Sequence, residues 1–386
     1  MNILMIHNYY QIGGGEHTVF ENEVKMLKDY GENVLIYTRN NDELKKNRLK
    51  VFFLPFSTTW SWKTYWDVKK LIRKYKIDIV HCHNTFPLIS PSVYYAAIKM
   101  KIPVVQTIHN FRFLCPNGSF FCNEKICEKC NEKNSFKDAI DNKCYRNSKL
   151  GTKIVVRMLK HHRKIGTYRK ISYIFLTDFS KEKFGNLIDI NSDQVFVKPN
   201  FVVHKNDVDR IVDKVKKVFV YAGRLEDNKG VRILINYWSK LPNDYVLHIY
   251  GDGNLRDFVV KNSKGNIIYF GFCSQEKVFK DLSSSMGLVF PSIWYEGFPM
   301  IICESMSLGC PILSTNIGNA GDLIQKSCPG ATFDPHDEKT FLNAIHDIVE
   351  HNESYSANAR LYYLQELTEA DNYKKLKEIY AKARTI

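Results

Sequence analysis

Short apolar runs alternate with amphipathic stretches from one end of the chain to the other. In the first half, "NILMIHN", "NVLIYT", "VFFL", "DIVHCH", "PVVQTIH" and "SYIFLT" have the length and apolar density of buried strands. In the second half, "KVFVYAGR", "YVLHIYGDG", "NIIYFGF", "GLVFPS" and "CPILST" read the same way. Between them, stretches such as "EHTVFENEVKMLKDYG" and "TYWDVKKLIRKYK" carry apolar residues at helical spacing. Strand, crossover helix, strand is the cadence of a parallel sheet with helices on both faces. Two such sets predict an α/β chain of two doubly wound, Rossmann-like domains. The periodicity lapses in "VKPNFVVHKNDVDR", near residues 198–210, which sets a first domain at 1–198 and a second at 199–364. The closing stretch "LQELTEADNYKKLKEIYAKARTI" is a helix the second sheet does not need, so residues from about 365 to 386 are expected to cross back to the first domain.

In open α/β sheets the ligand lies beyond the carboxyl ends of the strands. Residues directly after each strand are therefore the ones to read for chemistry. "GGGEH" (Gly13 to His17) opens a helix after the first strand, and His109 follows "PVVQTI". "GRLEDNKG" follows "KVFVYA", "GDG" follows "YVLHIY", and "IWYEGFP" follows "GLVFPS". Five strand ends on two sheets are thus available to one cleft.

Arg224 and Lys229 can clamp a diphosphate, one by its planar fork and the other as a point charge. Taken alone, the two also read as ordinary charges on a surface loop. Glu296 and Glu304 sit in a run otherwise apolar enough to be core, and a buried carboxylate needs partners. Gly297, Phe298 and Pro299 follow Glu296 and precede an apolar helix, with Pro299 expected at its first helical position. Backbone N–H groups at such a start suit anionic oxygens. A carboxylate that accepts two hydrogen bonds from a sugar diol is satisfied without a counter-ion. Glu296 is thus a candidate grip on a donor sugar and Glu304 on a ribose; pairing of both with structural arginines is the alternative.

Composition adds a charge asymmetry. The net charge of +14 sits almost wholly in residues 1–198, which hold 33 basic and 18 acidic residues, against 22 and 23 in the remainder. The excess includes "KTYWDVKKLIRKYK" and "KIVVRMLKHHRKIGTYRK", where cations interleave with aromatic and aliphatic residues. That pattern suits an anionic membrane surface. No nucleic-acid motif accompanies it, so nucleic acid is not expected as a partner; a solvated lysine-rich surface is the plain alternative. The start "MNILMIHNYY" lacks the basic region of a signal peptide, and no apolar run is long enough to span a membrane. The expected location is cytoplasmic, peripheral at the inner face of the plasma membrane.

The ten cysteines, without a secretion signal, suit a reducing compartment. Five of them, Cys115, Cys122, Cys127, Cys130 and Cys144, share one segment of the first domain. Cys115, Cys127, Cys130 and Cys144 are candidates for a structural zinc site, with disulfides or free thiols as the other states. Cys273, Cys303, Cys310 and Cys328 lie in or near apolar runs and are expected in the core.

"GRLEDNKG", then "YGDG", then "PSIWYEGFPMIICESMSLGCPIL" together resemble the signature of the retaining glycosyltransferases of family 4, with the GT-B fold: two Rossmann-like domains facing a cleft. Glu296 and Glu304, with seven residues between them, match the family's glutamate pair. The resemblance takes in the "GGGE" loop and the pair His109-Asn110, and "HNFRFLCPNGSFF" with the cysteines after it is similar to a bacterial subgroup that builds capsule, exopolysaccharide or O-antigen repeat units.

The resemblance implies that Arg224 and Lys229 hold the donor diphosphate as it leaves and that Glu304 binds the nucleotide ribose. Glu296 with the amides of Gly297 and Phe298 would orient the donor sugar. Gly14, Gly15, Gly223, Gly251 and Gly253 would let the backbone approach the donor, and His109 would line the pocket beside the transferred sugar. The implied activity is transfer of a sugar from a UDP- or GDP-sugar to a lipid-linked saccharide acceptor, retaining anomeric configuration by front-face attack. The one Asp-x-Asp, Asp207-Val208-Asp209, lies among lysines in the linker rather than after a strand, so catalysis is expected to need no metal cofactor. An epimerase or phosphorylase on the same fold, or a non-catalytic sugar-nucleotide-binding module, is the competing reading. "GGGEHTVF" lacks the spacing of a dinucleotide-binding loop.

Overall fold

The computed structural model describes residues 1–11, 14–46, 48–203 and 217–385. They form two compact units, one of residues 1–122, 127–199 and 372–386, the other of residues 123–126 and 200–371. Gly13, the Asp207-Val208-Asp209 triplet and most of the predicted linker lie outside the described residues.

The first unit holds a six-stranded parallel sheet: β1 (Asn2–Tyr9), β2 (Asn33–Asn40), β3 (Ile79–Asn84), β4 (Val104–Ile108), β5 (Ser172–Phe175) and β6 (Val195–Val197), in the order β2-β1-β3-β4-β5-β6. Every residue of β3, β4 and β5 is buried. Burial on both faces leaves them no solvent-facing side, so the polar members of β3, His81, His83 and Asn84, find their hydrogen-bond partners inside the protein. The second unit holds β7 (Lys217–Ala222), β8 (Tyr245–Tyr250), β9 (Ile267–Gly271), β10 (Gly287–Phe290), β11 (Ile312–Thr315) and β12 (Gly330–Phe333), in the order β9-β8-β7-β10-β11-β12, again all parallel.

Each sheet has a point where the chain reverses its direction of winding, between β1 and β3 in the first and between β7 and β10 in the second. Loops on either side of such a point part from each other and leave a crevice at the strands' carboxyl ends. The glycine loop after β1 borders the first; "GRLEDNKG" and "IWYEGFP" border the second.

The structure departs from the sequence reading in three places. "VFFL" is not a strand but part of the helix Arg48–Ser57, with Phe52, Phe53 and Phe56 exposed; a four-residue apolar run carries no period that separates strand from helix. The edge strands β6 and β12 went unread, because three residues and a glycine-led four leave almost no pattern. Pro299 precedes the helix Met300–Ser307 as its N-cap instead of opening it. The final helix is Glu369–Ala383, and its residues from Asn372 onward belong to the first unit. There Lys377 and Tyr373 both hold Glu32, at 2.6 and 2.9 Å.

Candidate active site

In the second unit, β7 delivers Gly223 and Arg224, and a short turn, Asp227–Lys229, delivers Lys229. Gly230 closes that turn at φ +71°, and a Cβ there would stand 1.8 Å from the Pro291 carbonyl oxygen. Only glycine lets the turn lie flat against the loop after β10. The Asn228 carbonyl then accepts from the Ile293 N–H at 3.0 Å and from Ser292 Oγ at 3.4 Å. This backbone seam aims Lys229 at Glu296.

Glu296 Oε1 accepts from Lys229 Nζ at 2.5 Å, Ser292 Oγ at 2.8 Å and Trp294 Nε1 at 2.5 Å. Among the described residues no arginine reaches it. Asn319 Nδ2 donates to the carbonyls of both Glu296 and Gly297. In a trans peptide the N–H points opposite its carbonyl, so the N–H groups of Gly297 and Phe298 point away from Asn319. Phe298 itself is buried. Glu304 rises from the helix Met300–Ser307 and accepts from Gln275 Nε2 at 2.7 Å. Burial pushes its pKa above the usual carboxylate value, against the pull of that hydrogen bond. Arg224 is about half exposed and pairs with Glu226 at 2.8 Å.

The glycines after β7 and β8 have a packing reason of their own. A Cβ on Gly251, at φ +141°, would meet the Gly223 carbonyl oxygen at 1.8 Å, and one on Gly253 would meet that of Leu225 at 2.4 Å. The Gly223 N–H donates to the Tyr250 carbonyl at 3.0 Å. These residues let two loops pack backbone on backbone beneath Arg224.

In the first unit, Gly14 caps α1 (Gly15–Asp29) with extended backbone, and a Cβ there would meet nothing within 4 Å. Glu16, in the first turn of α1, lies 3.4 Å from Asn110 Nδ2, so the glycine loop and the His109-Asn110 pair are in contact. Burial pushes the Glu16 pKa up to about 8, opposed by Arg112 and Asn110. His109 is half-buried, its Nε2 2.9 Å from His83 Nδ1. Both rings line a cavity of ≈ 40 Å³, room for a water and not for a sugar. A ligand of His109 must meet its exposed side.

The proposed zinc quartet is not gathered as spacing suggested. Among the described residues no three cysteine sulfurs lie within 4.8 Å of one another. The near neighbour of Cys144 is Cys122, left out of the quartet, at 3.7 Å. The thiols still sense each other: the Cys130 pKa is pushed up to about 11 by burial and then by Cys115 and Cys127. Cys303 and Cys310 are core as expected, whereas Cys328 is exposed.

Sequence reasoning missed Ser292, Trp294, Asn319 and the groups behind His109. The last had one legible signal: His81 and His83, two apart in a buried strand, share a face.

Residues 202–362 match the family profile described as "Glycosyl transferases group 1", and residues 12–164 match "Glycosyltransferase Family 4". The chain belongs to the family 4, group 1 glycosyltransferases. An uncharacterized glycosyltransferase of Methanocaldococcus jannaschii is 24% identical over 92% of this chain and 90% of its own length. The UDP-Gal:alpha-D-GlcNAc-diphosphoundecaprenol alpha-1,3-galactosyltransferase of Escherichia coli is 25% identical over 77% of this chain and 74% of its own. This glycosyltransferase shares its fold, GT-B, with the lipopolysaccharide outer core galactosyltransferase WaaB (TM-score 0.65, 18% identity, 98% of this chain and 99% of that one). Anabaena HepE in complex with UDP has the same fold (TM-score 0.65, 15% identity, 99% and 100%).

Proposed function

We propose that this glycosyltransferase moves a hexosyl group from a UDP- or GDP-sugar to a saccharide acceptor on a polyprenyl diphosphate, retaining anomeric configuration, in bacterial capsule, exopolysaccharide or O-antigen synthesis. The observation that carries the reading is the meeting of Lys229 and Glu296 at the second sheet's reversal point, 2.5 Å apart. Lys229 and Arg224 receive the negative charge that grows on the departing diphosphate. The N–H groups of Gly297 and Phe298 face the anionic oxygens. Glu296 Oε1 is saturated by its three donors, which leaves Oε2 for a sugar hydroxyl, and Glu304 takes the ribose. His109 contacts the transferred sugar. The acceptor hydroxyl oxygen bonds to the anomeric carbon as the bond to diphosphate breaks, and its proton passes to the departing phosphate oxygen. The E. coli relative's named donor and lipid-linked acceptor support these substrate classes.

The first unit's basic surface is proposed to hold the enzyme at an anionic membrane. Trp62, Trp66, Phe56 and Leu150 are each more than half exposed, and Arg157 lies over the Phe56 ring. Apolar rings among cations suit the headgroup boundary. No described helix is long and apolar enough to cross a membrane. For the cysteine segment we propose a structural zinc, which requires the sulfurs of Cys115, Cys127, Cys130 and Cys144 to draw together.

Incubation with a panel of UDP- and GDP-sugars and a lipid-linked acceptor tests the central reading. Acceptor-dependent release of nucleoside diphosphate is expected from one donor; none from any donor overturns it. Liposome flotation tests the surface: binding to anionic vesicles is expected, and failure to bind anionic and neutral vesicles alike ends that part. Metal analysis of protein purified without added metal is expected to find zinc; a folded, zinc-free sample removes it.

A further inference from the structure

Behind His109 runs a chain of buried polar groups that the transfer step above does not use. Lys198 and Glu23 are each about 1% exposed, with Nζ and Oε2 3.1 Å apart. Lys198 also donates to Asn372 Oδ1 at 2.6 Å. Glu23 Oε1 lies 3.2 Å from His83 Nε2 and 3.2 Å from His81 Nδ1. His83 in turn stacks on His109, with ring centroids 5.1 Å apart. The elements explain the line: Glu23 sits on α1, the two histidines share a face of β3, and His109 ends the neighbouring β4.

Glu23, His81 and His83 are also the one set of three potential metal ligands within 4.8 Å among the described residues. A cation fits poorly there. The Lys198 ammonium already holds the second Glu23 oxygen. Both His81 nitrogens are engaged, with the Tyr380 hydroxyl at 2.7 Å and that of Thr107 at 2.8 Å. The positive charge this carboxylate was built around is the lysine's.

The direction of each hydrogen bond then follows. Burial works against ionisation of Glu23, but Lys198 and the two histidines hold its pKa well below the usual value. An ionised carboxylate only accepts, so His83 carries its hydrogen on Nε2. The Lys198 ammonium already balances the Glu23 charge, so the Glu23–His83 bond needs no imidazolium; a neutral His83 has a bare Nδ1, and the 2.9 Å contact then needs a hydrogen on His109 Nε2. Burial, and then His83, hold the His109 pKa well below the ordinary value. Uncharged His109 keeps a bare Nδ1.

We propose that Lys198, Glu23 and His83 are positioning residues that fix His109 as its Nε2–H tautomer, so that it offers substrate an acceptor nitrogen. Such a nitrogen takes a sugar hydroxyl and gives nothing to a phosphate oxygen. The proposal rests on the reading of His109 as a contact of the transferred sugar.

Two-bond ¹H–¹⁵N spectra of ¹⁵N-histidine-labelled protein, assigned with His109→Gln, read the tautomer directly. Wild-type His109 is expected to be protonated at Nε2 and bare at Nδ1. His83→Gln, whose side-chain carbonyl can still accept, keeps that state and most of the turnover. His83→Phe loses the preference, and its kcat falls roughly tenfold to hundredfold while the nucleotide-sugar KM stays within about twofold. A wild-type His109 protonated at Nδ1 overturns the proposal, as does a His83→Phe enzyme with wild-type tautomer and kcat. The spectra need no substrate. A failed search for transferase activity would therefore strike the functional reading alone, and the tautomer would still decide this one.

Discussion

Lys229 Nζ and Glu296 Oε1 lie 2.5 Å apart, although 67 positions separate them in the chain. The pair spans the two loops at the second sheet's reversal point, and Ser292 and Trp294 complete the carboxylate oxygen's partners. Lys229→Ala is expected to lower kcat on the order of 10²–10³-fold, the usual effect of removing one preorganised stabiliser of developing charge. Glu296 keeps two neutral donors, so the melting temperature should move only slightly. Lys229→Met combined with Glu296→Gln should lose less than the product of the single losses, because the groups act together. Strictly multiplicative losses in steady-state kinetics would show that they do not.

Turnover is expected to survive chelation. In the proposed mechanism Arg224 and Lys229 would supply the cations that a metal otherwise brings to the diphosphate. Activity assayed in EDTA should stay within about twofold of the untreated enzyme. Loss on chelation with recovery in Mn²⁺ would contradict this.

Two glycines should respond in opposite ways. Gly251→Ala forces a methyl against the Gly223 carbonyl, 1.8 Å away, at φ +141°. A loss of about 2–4 kcal/mol in urea unfolding is expected. Gly14→Ala meets open space, so stability should hold, while the nucleotide-sugar KM rises if diphosphate packs on that backbone. An unchanged KM would remove Gly14 from the donor site.

Glu16 carries the sharpest pH signature. Its Oε1 is buried with no hydrogen-bond partner in the described structure, and its pKa is pushed up to about 8. A carboxyl whose folded pKa exceeds its unfolded value binds its proton more tightly when folded. Its destabilising effect is absent below about 4.5, grows through the window between, and is complete above about 8. Glu16→Gln should therefore match wild type in melting temperature near the lower limit and exceed it above the upper one. A constant difference between the two proteins would refute the shift.

Lys198→Met should destabilise the protein by about 3–5 kcal/mol, because it strands the Glu23 charge in the interior. Adding Glu23→Gln should recover much of that loss in denaturant titrations. A double variant no more stable than the single one would mean that Lys198 serves packing alone.

The alternation of apolar runs and amphipathic helices by itself determined the two parallel sheets. Strands such as β10, buried along its whole length, are apolar because both faces are covered. Their carboxyl ends were legible too, and Arg224, Lys229, Glu296 and His109 all lie there, because loops after parallel strands are where side chains escape the packing. Patterns that need length were lost: "VFFL" gave no period, and β6 and β12 were too short.

Only the tertiary structure decided who touches whom. No spacing rule joins Lys229 to Glu296, Asn319 to the Gly297 carbonyl, or Lys198 to Glu23, since each contact depends on how strands far apart in sequence become neighbours in a sheet. The same holds for the cysteines, where spacing chose Cys127 and packing set Cys122 beside Cys144. Periodicity is a local property, set by which face of an element meets water. Hydrogen-bond partners, protonation states and tautomers are not local, because burial and neighbouring charge fix them only once the chain has closed on itself.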